Sequence, residues 1–98
     1  MIGVRYDNPE LKSLMLEGKS TIYKEIAGKR GFLKSLRAFL FLLRFLHDTK
    51  ELFLYKQYGY KPSVKVSYVL ITGSNIHRKL LFTEQEQGTS IIINDLIK

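Results

Sequence analysis

Ninety-eight residues with 45% apolar content are enough to close one hydrophobic core and too few for two, so a single domain over 1–98 is expected. There is no cysteine and there are only two histidines, His47 and His77, which excludes a disulfide framework and a thiolate metal site and leaves no metal or cofactor to expect. Lys and Arg outnumber Asp and Glu by 16 to 9, with twelve of the cations in residues 1–61, a balance that draws polyanions or, on the plainer reading, confers solubility.

The chain opens on "IGVRY", a short β-rich run, followed by "DNPELKSLMLEG". Asn8 as N-cap, Pro9 at the first helical position, Glu10 in the first turn and Gly18 as a stop predict a helix over 9–17. "STIYKEIAG" predicts a second, short helix, with Ser20 as cap, Ile22 and Ile26 on one face, and Gly28 at its end. Leu33, Leu36, Phe39, Leu40, Leu43 and Leu46 then recur at helical spacing and predict a helix over 32–47. Its apolar run "AFLFLL" is far short of the roughly 20 residues that span a bilayer. "MIGVRYDNPE" lacks the layout of a signal peptide, so a cytoplasmic protein with no membrane partner is expected.

Arg30, Lys34, Arg37 and Arg44 fall on one stripe of that third helix if it starts early enough, which is either a solvated face or a nucleic-acid surface to which Arg37 and Arg44 contribute. In "TKELFLYKQYGYKP" the rings of Tyr55, Tyr58 and Tyr60 interleave with Lys56 and Lys61. Such interleaving suits RNA, with bases stacking on Tyr58 and Tyr60 and phosphates meeting Lys56; it equally suits rings packed on a core.

The last third reads as β. "SVKVSYVLIT" alternates Val64, Val66, Tyr68 and Leu70 against Lys65 and Ser67; "TGSN" turns the chain, "IHRKLLFT" follows, "EQEQG" turns again, and "TSIIINDLI" completes a meander. The expected fold is α+β: an antiparallel sheet built from the N-terminal strand and a C-terminal three-strand meander, with two or three helices packed on one face.

A Gly-rich phosphate loop, a His-x-x-x-His helix and a G-x-S-x-G elbow are all missing, and six of the nine acids fall in the helical half as caps or surface groups. A two-carboxylate or metal-dependent hydrolase is therefore not expected. What remains is cationic chemistry on a sheet. RNA is cut without metal when its 2′-hydroxyl attacks the adjacent phosphate, which takes a proton acceptor, cations on the phosphorane and a donor to the leaving oxygen. Lys65 on one strand and His77, Arg78 and Lys79 on the next can converge across the hairpin, or simply flank the turn as protection of an edge. The period of two puts Arg78 with Leu80 and Phe82, and His77 and Lys79 with Leu81.

Over nearly its whole length the chain resembles the RelE/HigB/ParE superfamily of type II toxins. The residues that carry the resemblance are "VRYDNPELKSLMLEGKSTIYKEI", "ELFLYKQYGYKP", "SVKVSYVLIT" and "HRKLLFTEQEQGTSIIINDLIK". The resemblance implies a toxin neutralised by a cognate antitoxin, acting on the ribosome as a metal-independent endoribonuclease on mRNA, with homodimerisation left open. It also implies a site of Lys, Arg and aromatic or His side chains on the sheet. Lys79, or Arg78 beside it, matches the arginine before the family's leucine-isoleucine-phenylalanine; Lys61 falls near its loop lysine; Lys65 matches its strand arginine through "SVKV", a place that Leu70 takes if "SYVLI" is the counterpart. Phosphate holding by Arg78 or Lys79 and proton transfer by Lys61, Lys65 or His77 are the implied roles. The alternatives are a degenerate or ParE-like, gyrase-directed toxin, and a non-enzymatic RNA- or ribosome-binding module.

Overall fold

The four residues Gly3–Tyr6, with β-branched Val4 and aromatic Tyr6, form β1, and the chain leaves it through Asn8 into helix α1, Pro9–Glu17. The computed structural model describes all of residues 1–98. Asn8 does cap α1, its Oδ1 accepting from the Leu11 amide at 3.1 Å, while its Nδ2 donates to the Tyr23 hydroxyl and to the Asn94 carbonyl. One side chain thus holds a helix start, a loop and the end of a distant strand. Asn8→Ala is expected to cost about 1–2 kcal/mol, measured as a shift of the urea midpoint at unchanged slope.

The second predicted helix does not form; residues 20–28 are bends and turns. Ser20 does turn its hydroxyl onto the Ile22 and Tyr23 amides, but Glu10 of α1 reaches across to take the Thr21 amide and hydroxyl and the Ser20 hydroxyl. A segment of one or two turns cannot nucleate a helix alone, and here its first amides are captured by a neighbour instead. Those bonds hold the Glu10 carboxyl below the usual glutamate range.

Helix α2 runs Arg30–Leu43, earlier at both ends than 32–47. Beyond its end, Asp48 is extended (φ −153°, ψ 174°) and spends its side chain on the Lys50 amide, starting a 3-10 turn over Thr49–Leu54. Phe32, Leu33, Leu36, Phe39 and Leu43 of α2 join Leu11, Leu14 and Met15 of α1 in one buried cluster with Ile2, Val69, Ile71, Leu80, Phe82, Ile91, Ile93 and Leu96 of the strand segments.

The sheet has the order β1-β4-β3-β2, with β2 at Ser67–Gly73, β3 at Ile76–Gln85 and β4 at Ser90–Ile97. The fold is α+β with the helices on one sheet face, as the sequence leads one to expect. The N-terminal strand takes the sheet edge but runs parallel to β4, Gly3 opposite Ser90 and Tyr6 opposite Ile93, so the sheet is mixed rather than wholly antiparallel. The β2–β3 hairpin turns on Ser74 and Asn75, both at positive φ, the primed turn that matches strand twist. No helix is long and apolar enough to cross a membrane.

Strand β2 starts later than "SVKV" implies. Lys61 and Tyr68 exchange backbone hydrogen bonds as an isolated bridge, so residues 62–66 form the loop that closes it, and Val64 is fully exposed. Pro62 at the start of this loop has no amide to give to a ladder.

Candidate nucleic-acid interface

Strand register decides which cations share a surface. Val69 faces Leu80 and Ile71 faces Arg78 across the β2–β3 ladder, and Val69, Ile71 and Leu80 are buried under the helices, so Arg78 points to the helix side. There its guanidinium lies 3.3 Å from the Glu25 carboxylate and donates to the His77 carbonyl, with the side chain only 15% exposed. Arg78 therefore closes the end of the core instead of joining its neighbours.

The opposite face carries no helix. On it lie, row by row, Lys61 beside Tyr68 and Leu81, then Leu70 beside Lys79, then Thr72 beside His77. The Lys79 ammonium sits 5.0 Å from the centroid of the Tyr68 ring, a cation–π pair on an open sheet. At about 3.4 Å per residue and about 4.8 Å between strands, Lys61 and Lys79 are ~12 Å apart at the backbone, a gap that two extended lysine side chains can span over the Tyr68 ring. His77 is two residues from Lys79, about 7 Å further toward the turn, with its Nδ1 3.2 Å from the Thr72 hydroxyl. Three of the five cations proposed for catalysis, Lys61, Lys79 and His77, thus share one face.

The other two do not. Lys65 is exposed on the 62–66 loop, off the strand, because the Lys61–Tyr68 bridge ends the ladder before it. Of the residues proposed to contact RNA, Lys56 is exposed beside the short 3-10 turn Lys56–Tyr58, but Tyr58 packs edge-on against Phe39 at 5.1 Å, and burial raises its hydroxyl above the usual tyrosine value. Tyr60 is buried, its ring edge-on to Phe53 at 4.8 Å. Tyr60 is committed to packing, which corrects the stacking role expected of it, whereas Tyr58 is half-buried with one edge-on ring contact. Arg37 and Arg44 are exposed on the outer side of α2, across the molecule from Lys79, and flank a shallow groove with Leu16, Leu40 and Phe41.

Two residues escaped the sequence reading. Tyr68 reads as a core position in phase with Val64, Val66 and Leu70, but Val69 and Ile71 take the core side, which leaves its ring on the open face. Glu84 is the other. Leu80, Phe82 and Glu84 share one phase of β3, which was signal enough that a carboxylate falls on the core side. Its oxygens accept from Thr49, Tyr60 and Ser67 hydroxyls, all at 2.5 Å. Burial pushes this carboxyl up, but the Ser67, Thr49 and Tyr60 hydroxyls outweigh that and hold it below the ordinary glutamate value. The same burial, with the Glu84 charge alongside, pushes Tyr60 up to about 12.

Nowhere do three or more His, Asp or Glu side chains converge as a metal-ligand set. No family model, curated protein or solved structure matches the chain significantly.

Proposed function

We propose that the open sheet face binds single-stranded RNA, and that the chain is a cytoplasmic toxin of the RelE/HigB kind, cutting mRNA on the ribosome and held in check by an antitoxin. The observation that supports this best is Lys61, Lys79 and His77 around Tyr68 on a face that no helix covers. A base stacks on the exposed side of Tyr68 while the two lysines meet the backbone phosphate. For cleavage, the 2′-oxygen forms a bond to phosphorus, the 5′-oxygen–phosphorus bond breaks, and a cyclic phosphate and a 5′-hydroxyl result. In this reading Lys79 and Lys61 hold the non-bridging oxygens, His77 takes the 2′-proton, and the leaving oxygen is protonated by water or the ribosomal site. The α+β order and the helix-free sheet face agree with the resemblance noted above.

Binding without cleavage is the second reading, favoured by one observation: Arg78, one of the two cations offered for holding the phosphate, is engaged with Glu25 on the helix side of the sheet. Expression of the chain alone in a bacterium separates the two. Growth arrest with cleaved transcripts, relieved in the Lys61→Ala/Lys79→Ala pair, is expected; unchanged growth with intact transcripts at high expression would count decisively against the nuclease. For binding itself, each phosphate contact adds about 0.7 to the slope of log affinity against log salt on a single strand. Lys79→Ala is expected to flatten that slope by about this amount, whereas Arg78→Ala should leave it unchanged. Equal effects of the two substitutions would show that the sheet face is not the binding surface.

A further inference from the structure

A cleft of about 750 Å³ lies away from the open sheet face. It opens between the 3-10 turn Thr49–Leu54, the Tyr60–Pro62 segment and the β3–β4 connection, and Glu84 lies in its wall. Its size falls within the range of small-ligand pockets and is far more than an ion or one water needs.

The charge at this site is unusual for the chain. A carboxylate offers about four acceptor positions, and three are filled: one on Oε1 by Thr49, two on Oε2 by Tyr60 and Ser67. All three donors are neutral, so they stabilise the anion without cancelling its charge. In a protein of net charge +7, no Lys, Arg or His lies within ion-pair distance of Glu84; the ion pairs are His47 with Glu51 and Arg78 with Glu25. Lys50 lines the cleft and still makes no such contact. Glu84 is half-buried, so water meets its charge in the empty cleft, and a cation that entered would find an acceptor already held in place.

The walls say which kind. Phe53 is 57% exposed at the cleft and stands edge-on to Tyr60, so an aromatic ring flanks the anion. A single free acceptor position with no converging carboxylates suits a metal ion poorly. Glu86, also lining the cleft, disfavours an anion. The connection itself is held in an uncommon conformation, with Glu86, Gln87 and Gly88 at φ 51°, 60° and 85°. A side chain at Gly88 would collide with the Thr49 hydroxyl that donates to Glu84, so backbone and carboxylate are set together.

We infer that this cleft binds a guanidinium group, with Glu84 accepting its N–H on the free Oε1 position and Phe53 stacking on its flat face. A guanidinium is planar and weakly hydrated, and it combines charge-assisted hydrogen bonding with stacking in a way that an ammonium does not. The inference does not depend on the RNA reading, which concerns a different face.

The test is a titration of the full chain, ¹⁵N-labelled, followed by amide chemical shifts. The probes are agmatine, a blocked Gly-Arg-Gly peptide, and the same peptide with neutral citrulline in place of arginine. Saturable shifts at Phe53, Tyr60 and Glu84 with both cations and none with citrulline are expected. Tighter binding of the peptide assigns the group to an arginine of a protein partner, and equal binding assigns it to a free amine. Glu84→Gln should weaken binding at least about tenfold, the loss of one charge-assisted hydrogen bond. Phe53→Ala, at an exposed ring, should weaken it less and serves as the reporter if Glu84→Gln does not fold. No saturable shift with either cation up to about 10 mM, or equal binding of the citrulline peptide, overturns the inference.

Discussion

Glu84→Ala is expected to lower folding stability by about 3–4 kcal/mol, read as the drop in the unfolding free energy from urea melts, because it leaves three hydroxyls without their acceptor. Thr49 and Ser67 are 2% and 0% exposed, and Tyr60 is 8% exposed, so in the parent the carboxylate rather than water is the acceptor of all three hydroxyls. Each stranded donor costs about 1–3 kcal/mol singly, and the three share one cavity, so the sum is less than additive. Glu84→Gln keeps the shape and one acceptor and should cost less than half as much. A loss under about 1 kcal/mol for the alanine variant would mean that water fills the site and that the network is not structural.

The same carboxylate predicts a pH dependence. Its folded pKa lies below its unfolded value, so the folded state binds fewer protons in that range. The stabilisation is therefore complete above the ordinary glutamate pKa near 4.5 and is lost as pH falls through the depressed folded value. Acid unfolding curves of Glu84→Gln should be flatter in that window than those of the parent. Glu10 and Glu51, also lowered by amide hydrogen bonds, contribute with the same sign from half-buried positions. Parallel curves for parent and variant would show that Glu84 does not carry the acid sensitivity.

The second large effect is steric. At Gly73, the last residue of β2, a Cβ would stand 2.5 Å from the Gly31 carbonyl oxygen and 2.8 Å from the Phe32 Cα, both backbone atoms of the first turn of α2. Backbone cannot rotate away as a side chain can, so Gly73→Ala must separate helix from strand and is expected to cost about 3 kcal/mol. Ser35 also donates its hydroxyl to the Thr72 carbonyl at 2.7 Å, a contact that the same separation breaks. Gly31→Ala is the useful comparison: its closest clash, at 2.6 Å, is with the Ser74 hydroxyl, which can turn aside. A milder loss there, with Gly73→Ala severe, identifies backbone contact as the cause. Equal stability of the Gly73 variant and the parent would rule out the tight approach.

What the sequence made legible was what short-range chemistry decides. Asn8, Pro9 and Gly18 bounded α1 correctly because caps act within one turn. The alternation Leu80–Phe82 gave the phase of β3, and with it the separation of Arg78 from His77 and Lys79, but not which phase was open, since Leu81 makes the other side apolar too. The late start of β2 escaped because "SVKV" has strand-like alternation, and only the Lys61–Tyr68 pairing turns it into a loop. The 20–28 segment escaped for a related reason: its amides bond to Glu10, a residue outside the window that a helical pattern scans. The Glu84 cluster draws donors from 17, 24 and 35 residues away, and no local pattern announces such a convergence.

The parallel pairing of β1 with β4 sets the order of events in the life of the chain. Gly3 has no strand partner until Ser90 exists, a span of 87 residues. At about 5–20 residues per second of synthesis, β1 waits roughly 4–17 s beside the ribosome with its hydrogen-bonding groups open. The β2–β3 hairpin needs no such wait and can close as soon as it emerges, so the nascent sheet grows from its far edge toward the strand made first. Four residues offer little length for mispairing with another nascent chain, and the brevity of β1 is itself protection during that interval.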